Sequence, residues 1–252
     1  MKKKYLNDGV GSVPDFLKAI GEQESPEKIS PAGLASMIDH TALKPETAKT
    51  GIEKLCSEAM HHHFKSVCIN PYWIPLAADI LSGSGVKVCA VIGFPFGAAS
   101  RKTKKFETKN AVRAGADEID MVINIGALKS KDIKTVEKDI RVVVKAARGR
   151  LVKVILETCL LTNEEIEAAS KISADAGAHY VETSTSFSTA GATVEAVGIM
   201  RGAVGGTLGV KASGGAKDFA GAIAMIKAGA TRIGTSAGIA IISGTAAGSD
   251  KK

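Results

Sequence analysis

From residue 37 onward, short apolar runs alternate with longer stretches in which apolar residues recur at helical spacing. The short runs read as strands buried on both faces, the longer stretches as amphipathic helices. Strands are predicted over 37–43, closed by Lys44-Pro45, over 66–70, ended by Pro71, and over 86–94, ended by Pro95. Five more follow over 118–124, 151–158, 179–184, 209–213 and 232–236. Helices are predicted over 46–62, 103–113, 133–147, 194–204 and 219–228, and another starts from an N-cap at Thr162 or Asn163. Eight strands alternating with helices imply the α/β class and a (β/α)₈ TIM barrel. A doubly wound sheet is the alternative, but no G-x-G-x-x-G follows the first strand. The chain reads as one barrel domain over 1–252. About 1–30 form an N-terminal extension whose amphipathic patch at 13–20 suggests a helix across one barrel end. A short apolar tail runs to Ile242, and about 245–252, mostly Gly, Ala, Ser, Asp and Lys, read as a flexible end.

One local pattern occurs three times. Gly115-Ala116, Gly177-Ala178 and Gly229-Ala230 each close a helical stretch and open a strand. Asp120, Glu182 and Gly234 then fall in the same slot of the three copies. On alternate strands of one barrel, that slot is a single interior layer.

Composition sharpens this picture. Apolar residues make up 45% and aromatic residues only 4%, so small and branched aliphatics must build the core. The net charge of +7 is dispersed, which reads as a solvated surface with a mild attraction for phosphorylated ligands. No basic stripe with interleaved aromatics points to nucleic acid. No apolar run is long enough for a membrane span, and the basic start leads into no apolar signal segment. The four cysteines contain no C-x-x-C pair, which suits reduced thiols in a cytoplasmic setting.

Several polar residues interrupt the strands: Asp39 and Thr41, Asp120, Lys153 and Glu157, Glu182 and Ser184, Lys211 and Ser213. A charge inside a buried strand is costly unless paired. Facing ionisable groups at one barrel mouth favour a catalytic site over a purely structural ion-pair network. Asp120 and Glu182 balance Lys153 and Lys211, so both lysines read as ion-pair partners rather than amine nucleophiles. Ser213-Gly214-Gly215 and Gly234-Thr235-Ser236 end the last two strands, where such barrels commonly bind phosphate. Three adjacent histidines, His61 to His63, point in different directions on a helix and make no metal site. Cys68 reads as a small core residue, and His40 and Lys44 either line the mouth or cap a loop.

Taken together, these stretches resemble the deoxyribose-phosphate aldolases, a class I aldolase family. The resemblance rests on IDHTALKP (38–45), VCINP (67–71), VIGFP (91–95), GADEIDMVINIGALK (115–129), VKVILET (152–158), VKASGG (210–215) and RIGTS (232–236). It implies a (β/α)₈ barrel that reversibly cleaves 2-deoxy-D-ribose 5-phosphate to glyceraldehyde 3-phosphate and acetaldehyde. It further implies a lysine Schiff base, no metal or other cofactor, ligands limited to a sugar phosphate and an aldehyde, and leaves a homodimer open. Asp120 resembles the family's acid/base aspartate, and Lys211 its second lysine, which lowers the pKa of the Schiff-base lysine. Thr185, Ser186, Gly214, Gly215, Gly234 and Ser236 fall at substrate or phosphate positions.

The departures cluster on the site. The family's V-K-T-S-T-G-F reads Val181-Glu182-Thr183-Ser184-Thr185-Ser186-Phe187, so Glu182 stands where the nucleophilic lysine belongs and Ser186 replaces a glycine. G-G-[IV]-R reads Gly214-Gly215-Ala216-Lys217, and a second serine after the last strand is Ala237. A C-terminal tyrosine used by some members is not found. A carboxylate forms no imine, so weak native aldolase activity is expected. Two other readings stay open: Glu182 as a general base with Asp120 as acid, and a non-catalytic sugar-phosphate binder or engineered scaffold.

Overall fold

The computed structural model describes residues 29–247. Its eight strands are all parallel and close in chain order: β1 (Ile38–Ala42), β2 (Ser66–Ile69), β3 (Lys87–Ile92), β4 (Glu118–Val122), β5 (Leu151–Ile155), β6 (Tyr180–Glu182), β7 (Gly209–Ser213) and β8 (Arg232–Thr235). The outer helices are α1 (Pro31–Ala35), α2 (Lys49–His61), α3 (Ile74–Ile80), α4 (Arg101–Ala114), α5 (Ile125–Lys129), α6 (Ile133–Ala146), α7 (Asn163–Asp175), α8 (Val194–Val204), α9 (Phe219–Lys227) and α10 (Gly238–Ala247). The alternation expected from the sequence is therefore the architecture. The long helices bury an apolar stripe, as α6 does with Val136, Ile140 and Val143.

Helix starts follow local chemistry. Thr162 caps α7 by accepting from the Glu165 amide at 3.3 Å, and the Glu165 carboxylate accepts from the Thr162 amide at 2.9 Å. This reciprocal pair satisfies two otherwise orphaned donors. Ser100, Asp132, Thr193 and Asp218 cap α4, α6, α8 and α9 from one side, each side chain accepting from the amide three residues on.

The differences from the sequence expectation lie between the long elements. A 3₁₀ turn (Pro71–Trp73) and α3 fill the connection after β2, too short to show a helical period. The fifth strand stops at Ile155 instead of 158, because Glu157 takes a left-handed backbone (φ 59°) and a 3₁₀ turn covers Thr158–Leu160. The apolar stretch to Ile242 is part of α10, which continues to Ala247 and so includes three residues assigned above to the flexible end. The patch at 13–20 lies outside the described residues. No helix among the described residues is long and apolar enough to cross a membrane.

Strand register fixes which side chains share a level inside the barrel. Asp120 pairs with Lys153, Glu182 with Lys211, and Asp39 with both Ser66 and Gly234. With each strand's shear included, Cys68, Asp120, Glu182 and Gly234 from the even strands form one layer. Asp39, Cys89, Lys153 and Lys211 from the odd strands form the layer beneath it, and Ser66, Glu118, Tyr180 and Arg232 lie deeper.

Outside the barrel, one ion pair holds α4 to α6. The fully buried Lys104 donates to Asp139 at 2.5 Å and to the Val122 carbonyl at 2.8 Å. Burial lowers the lysine pKa and raises that of Asp139, while each partner opposes the other's shift. Lys104→Met should destabilise the fold by about 3–5 kcal/mol, since it strands a buried carboxyl. Adding Asp139→Leu should recover most of that loss, as denaturant titration of both variants would show.

Candidate active site

Among the described residues, the barrel interior carries seven acidic and basic side chains in direct contact. Four are carboxylates, Asp39, Glu118, Asp120 and Glu182, and three are cations, Lys153, Lys211 and Arg232. All seven are buried. At the bottom, Arg232 donates through Nε to Asp39 at 2.7 Å, through Nη2 to Asp39 and through Nη2 to Glu118 at 2.9 Å. Its guanidinium also lies 5.8 Å from the Tyr180 ring centre. Ser66 donates to Asp39 at 2.7 Å. One level up, Lys153 Nζ sits 2.7 Å from both Glu118 and Asp120 and donates to Cys89 Sγ at 3.2 Å.

Lys211 is the hub of the upper levels. Its ammonium meets Asp120 at 2.5 Å, Glu182 at 3.0 Å and Asp39 at 3.1 Å. Burial pulls its pKa down, but Asp120, Glu182 and Asp39 outweigh that and hold it well above its ordinary value. Lys153 is likewise pulled down by burial and held up more strongly, first by Asp120. Burial would raise Asp120, yet Lys153 and Lys211 hold it down at about 2. Gly234 makes the hub possible: a Cβ there would lie 2.9 Å from Lys211 Cε and 2.2 Å from Ser213 Oγ.

Glu182 points inward and behaves differently from the other acids. Its Oε1 accepts from Ser213 Oγ at 2.7 Å and faces Lys211, while its Oε2 is buried without a hydrogen-bond partner. Burial raises its pKa from 4.5 to about 7; Lys211 opposes that shift and Asp120 adds to it. The count explains the outcome. Four carboxyls against three cations leave one negative charge in excess, and the carboxyl least supplied with donors takes up a proton. Ser184 Oγ, two residues on, is also buried and unpartnered.

Above this layer, loops pack against one another to form a rim. Glu157 accepts from the Thr185 amide at 3.2 Å and from the Thr185 hydroxyl, which in turn accepts from the Phe187 amide at 3.1 Å. Thr185 is thus buried and tied to the loop rather than open. Ser186 is exposed, with φ 68°, the left-handed region that a glycine occupies without strain. Its hydroxyl lies 2.3 Å from where a Gly214 Cβ would sit, and Gly214 itself has φ 74°. The Gly214 amide donates to the Gly234 carbonyl at 3.3 Å, and Thr235 donates to the Ala216 carbonyl at 3.2 Å, so the last two strand-end loops are joined. Ser236 is exposed just before α10.

The structure therefore brings Asp120, Glu182, Lys153 and Lys211 together, with Glu182 paired to Lys211 and not to Lys153. Gly214, Gly215, Gly234, Ser236, Thr185 and Ser186 lie around them at the strand ends. Sequence reasoning missed Glu118 and Arg232. The signal was present: each lies two residues before a position in the recurring slot, Asp120 and Gly234, and strand period two puts it on the same inner face. Cys68, read as a core residue, is buried as expected, but inside the barrel, donating to Asp120 at 3.7 Å. His40 caps no loop; it packs on Phe64 and pairs with Glu58 at 2.8 Å.

Comparison with known proteins fits this arrangement. The profile of the DeoC/LacD family aldolases matches residues 34–244. The deoxyribose-phosphate aldolase of Exiguobacterium sibiricum is 61% identical over 218 residues, covering 86% of this chain and 99% of the relative. That of Brevibacillus brevis is 58% identical, covering 82% and 94%. Among solved structures, a putative deoxyribose-phosphate aldolase from Coccidioides immitis superposes with TM-score 0.84 at 36% identity, over 94% of this chain and 99% of that one. An aldolase designated QR15 gives TM-score 0.80 at 41% identity, over 83% and 94%.

The Glu182 pKa has a consequence for stability. A carboxyl whose folded pKa of about 7 exceeds its ordinary 4.5 stabilises the fold fully below 4.5 and loses that contribution as pH rises through 7. Glu182→Gln, which cannot ionise, should therefore gain on the unmodified chain between pH 5 and pH 8, by on the order of 3 kcal/mol. Urea titrations across that range would measure the gap; a gap that stays constant with pH would refute the assignment.

Proposed function

The chain belongs to the DeoC/LacD family of aldolases, and from that premise we propose that its barrel mouth is built for the reversible cleavage of 2-deoxy-D-ribose 5-phosphate, with the imine-forming step disabled by Glu182. The relatives named above carry the substrate in their names, and the site supplies the matching parts. In this reading Asp120 is the acid/base group, and Lys211 with Lys153 sets the field around the reacting carbonyl. In this reading the phosphate takes donors from Gly215 and Ser236, helped by the N-terminus of α10, while Gly214 and Gly234 leave the strand ends free of side chains. Ala216, Lys217 and Ala237 leave that subsite with fewer donors than the family pattern.

One observation carries the proposal: the Lys211 ammonium is surrounded by three carboxylates, the nearest at 2.5 Å. A class I aldolase needs a neutral amine to attack the aldehyde carbonyl, then lose water as the imine forms. Charge parity decides whether such an amine exists. With lysine at 182, three carboxylates would face four basic groups, and one amine would stay neutral near pH 7. With glutamate the excess lies on the acid side, and each lysine keeps its proton.

A second reading is favoured by the unpartnered Oε2 of Glu182 and its pKa of about 7. A carboxylate so poised suits a general base that removes the proton beside an aldehyde carbonyl without any imine.

Borohydride trapping with acetaldehyde, read by intact mass, separates the readings. The unmodified chain should give no adduct and Glu182→Lys should give one, together with some cleavage of deoxyribose 5-phosphate. A folded Glu182→Lys protein that gives no adduct would overturn the imine reading. An adduct on the unmodified chain would move the nucleophile to another lysine, with Lys211 mapped first. Turnover without an adduct would favour the general base. For the rim, Ala237→Ser should tighten sugar-phosphate binding roughly tenfold, the worth of one hydrogen bond to a charged group, as calorimetry would report.

A further inference from the structure

Beside the lysine hub, the barrel holds a group of side chains that the aldol reading does not use together. Cys68 and Cys89 are register partners on β2 and β3, and Asp120 stands on the adjoining β4. One ligand atom from each lies within 4.8 Å of the others, and all three residues are buried. Leu43 and Phe94 pack against the two cysteines together with Val91.

We infer that Cys68, Cys89 and Asp120 form a binding site for a soft divalent cation of the zinc and cadmium class. Two sulfurs and one carboxylate oxygen are a donor set that zinc accepts in tetrahedral sites and that magnesium and calcium, which want oxygen alone, reject. The spacing allows three bonds of about 2.0–2.3 Å to one centre after small side-chain rotations. Each thiol gives its proton to solvent as its sulfur–metal bond forms, two protons for one dication, and no electron moves. The buried charge is therefore the same before and after binding.

The neighbours can release Asp120 to a metal. Lys153 would keep Glu118 at 2.7 Å and Asp39 at 3.5 Å, and Lys211 would keep Asp39 at 3.1 Å and Glu182 at 3.0 Å. Each ammonium gives up its contact to Asp120 but keeps a carboxylate partner, Glu118 for Lys153 and Asp39 for Lys211, so neither is left unpaired. Lys153 Nζ at 3.2 Å from Cys89 Sγ already treats that sulfur as an electron-pair donor. Occupancy would withdraw Asp120 from aldehyde chemistry, so this site acts as an inhibitory one; that antagonism rests on the aldol reading, whereas the binding itself does not.

Cadmium ion titrated into the full chain, with a non-thiol reductant present, tests the site through its thiolate-to-cadmium absorbance. One equivalent should bind and release two protons. Cys68→Ser or Cys89→Ser should weaken binding at least 100-fold, beyond the roughly 10–100-fold lost when only a supporting group is removed. Cys56→Ser and Cys159→Ser should leave it unchanged, and Asp120→Asn should weaken it while keeping the absorbance. Absorbance surviving in the Cys68→Ser/Cys89→Ser double variant, or no one-equivalent binding by the unmodified chain, would overturn the site. Should the serine variants not fold, cadmium NMR of the unmodified chain decides: a resonance in the range of two-thiolate coordination supports the site, and one in the all-oxygen range overturns it.

Discussion

Charge balance among side chains buried in the barrel is the constraint on which this structure turns. Seven acidic and basic side chains are buried in one contact network, so a change of charge at one is felt by its neighbours. Water cannot screen an imbalance there, so an odd charge is removed by proton transfer. Residue 182 is where that odd charge falls. Glutamate and lysine at this position differ by two units of charge, enough to turn an excess of acid into an excess of base. The same strands, loops and partners would then present either a protonatable acid or a free amine, and a single side chain decides which.

The rest of the network explains why the barrel tolerates such a choice. Arg232, Asp39, Glu118 and Ser66 are linked at the bottom by hydrogen bonds from Arg232 and Ser66, and Lys153 and Lys211 join them to the level above. Arg232 and Ser66 hold one oxygen of Asp39, and the other faces the Lys211 ammonium that also meets Glu182. Lys211 reaches up from that base, and the bare backbone at Gly234 leaves its stem room to do so.

Much of this was legible in the chain. Short apolar runs gave all eight strands, because strands buried on both faces lack the helical spacing that marks the stretches between them. The recurring slot gave the layer of Asp120, Glu182 and Gly234, because barrel shear advances each alternate strand by the same step. Short helices were not legible: α3 and α5 span too few residues for a period to show, and α10 is apolar on all sides. Glu118 and Arg232 escaped because they sit at strand starts, where a charge ordinarily meets solvent; only the closed barrel buries them. The role of Thr185 was also hidden, since its partner Glu157 lies on a neighbouring strand end, and only tertiary structure joins the two.

Glu157 leaves one further mark on the molecule. From its left-handed backbone it takes two donors of Thr185, and Thr185 in turn fixes the Phe187 amide. The segment at the end of β6 is thereby ordered from within the chain, before any ligand arrives. An incoming molecule would meet a surface that has already lost its conformational freedom, and its association would carry little of the entropic cost of ordering a loop. The stretch from Thr185 to Phe187 is set in place by its own hydrogen bonds rather than by a ligand.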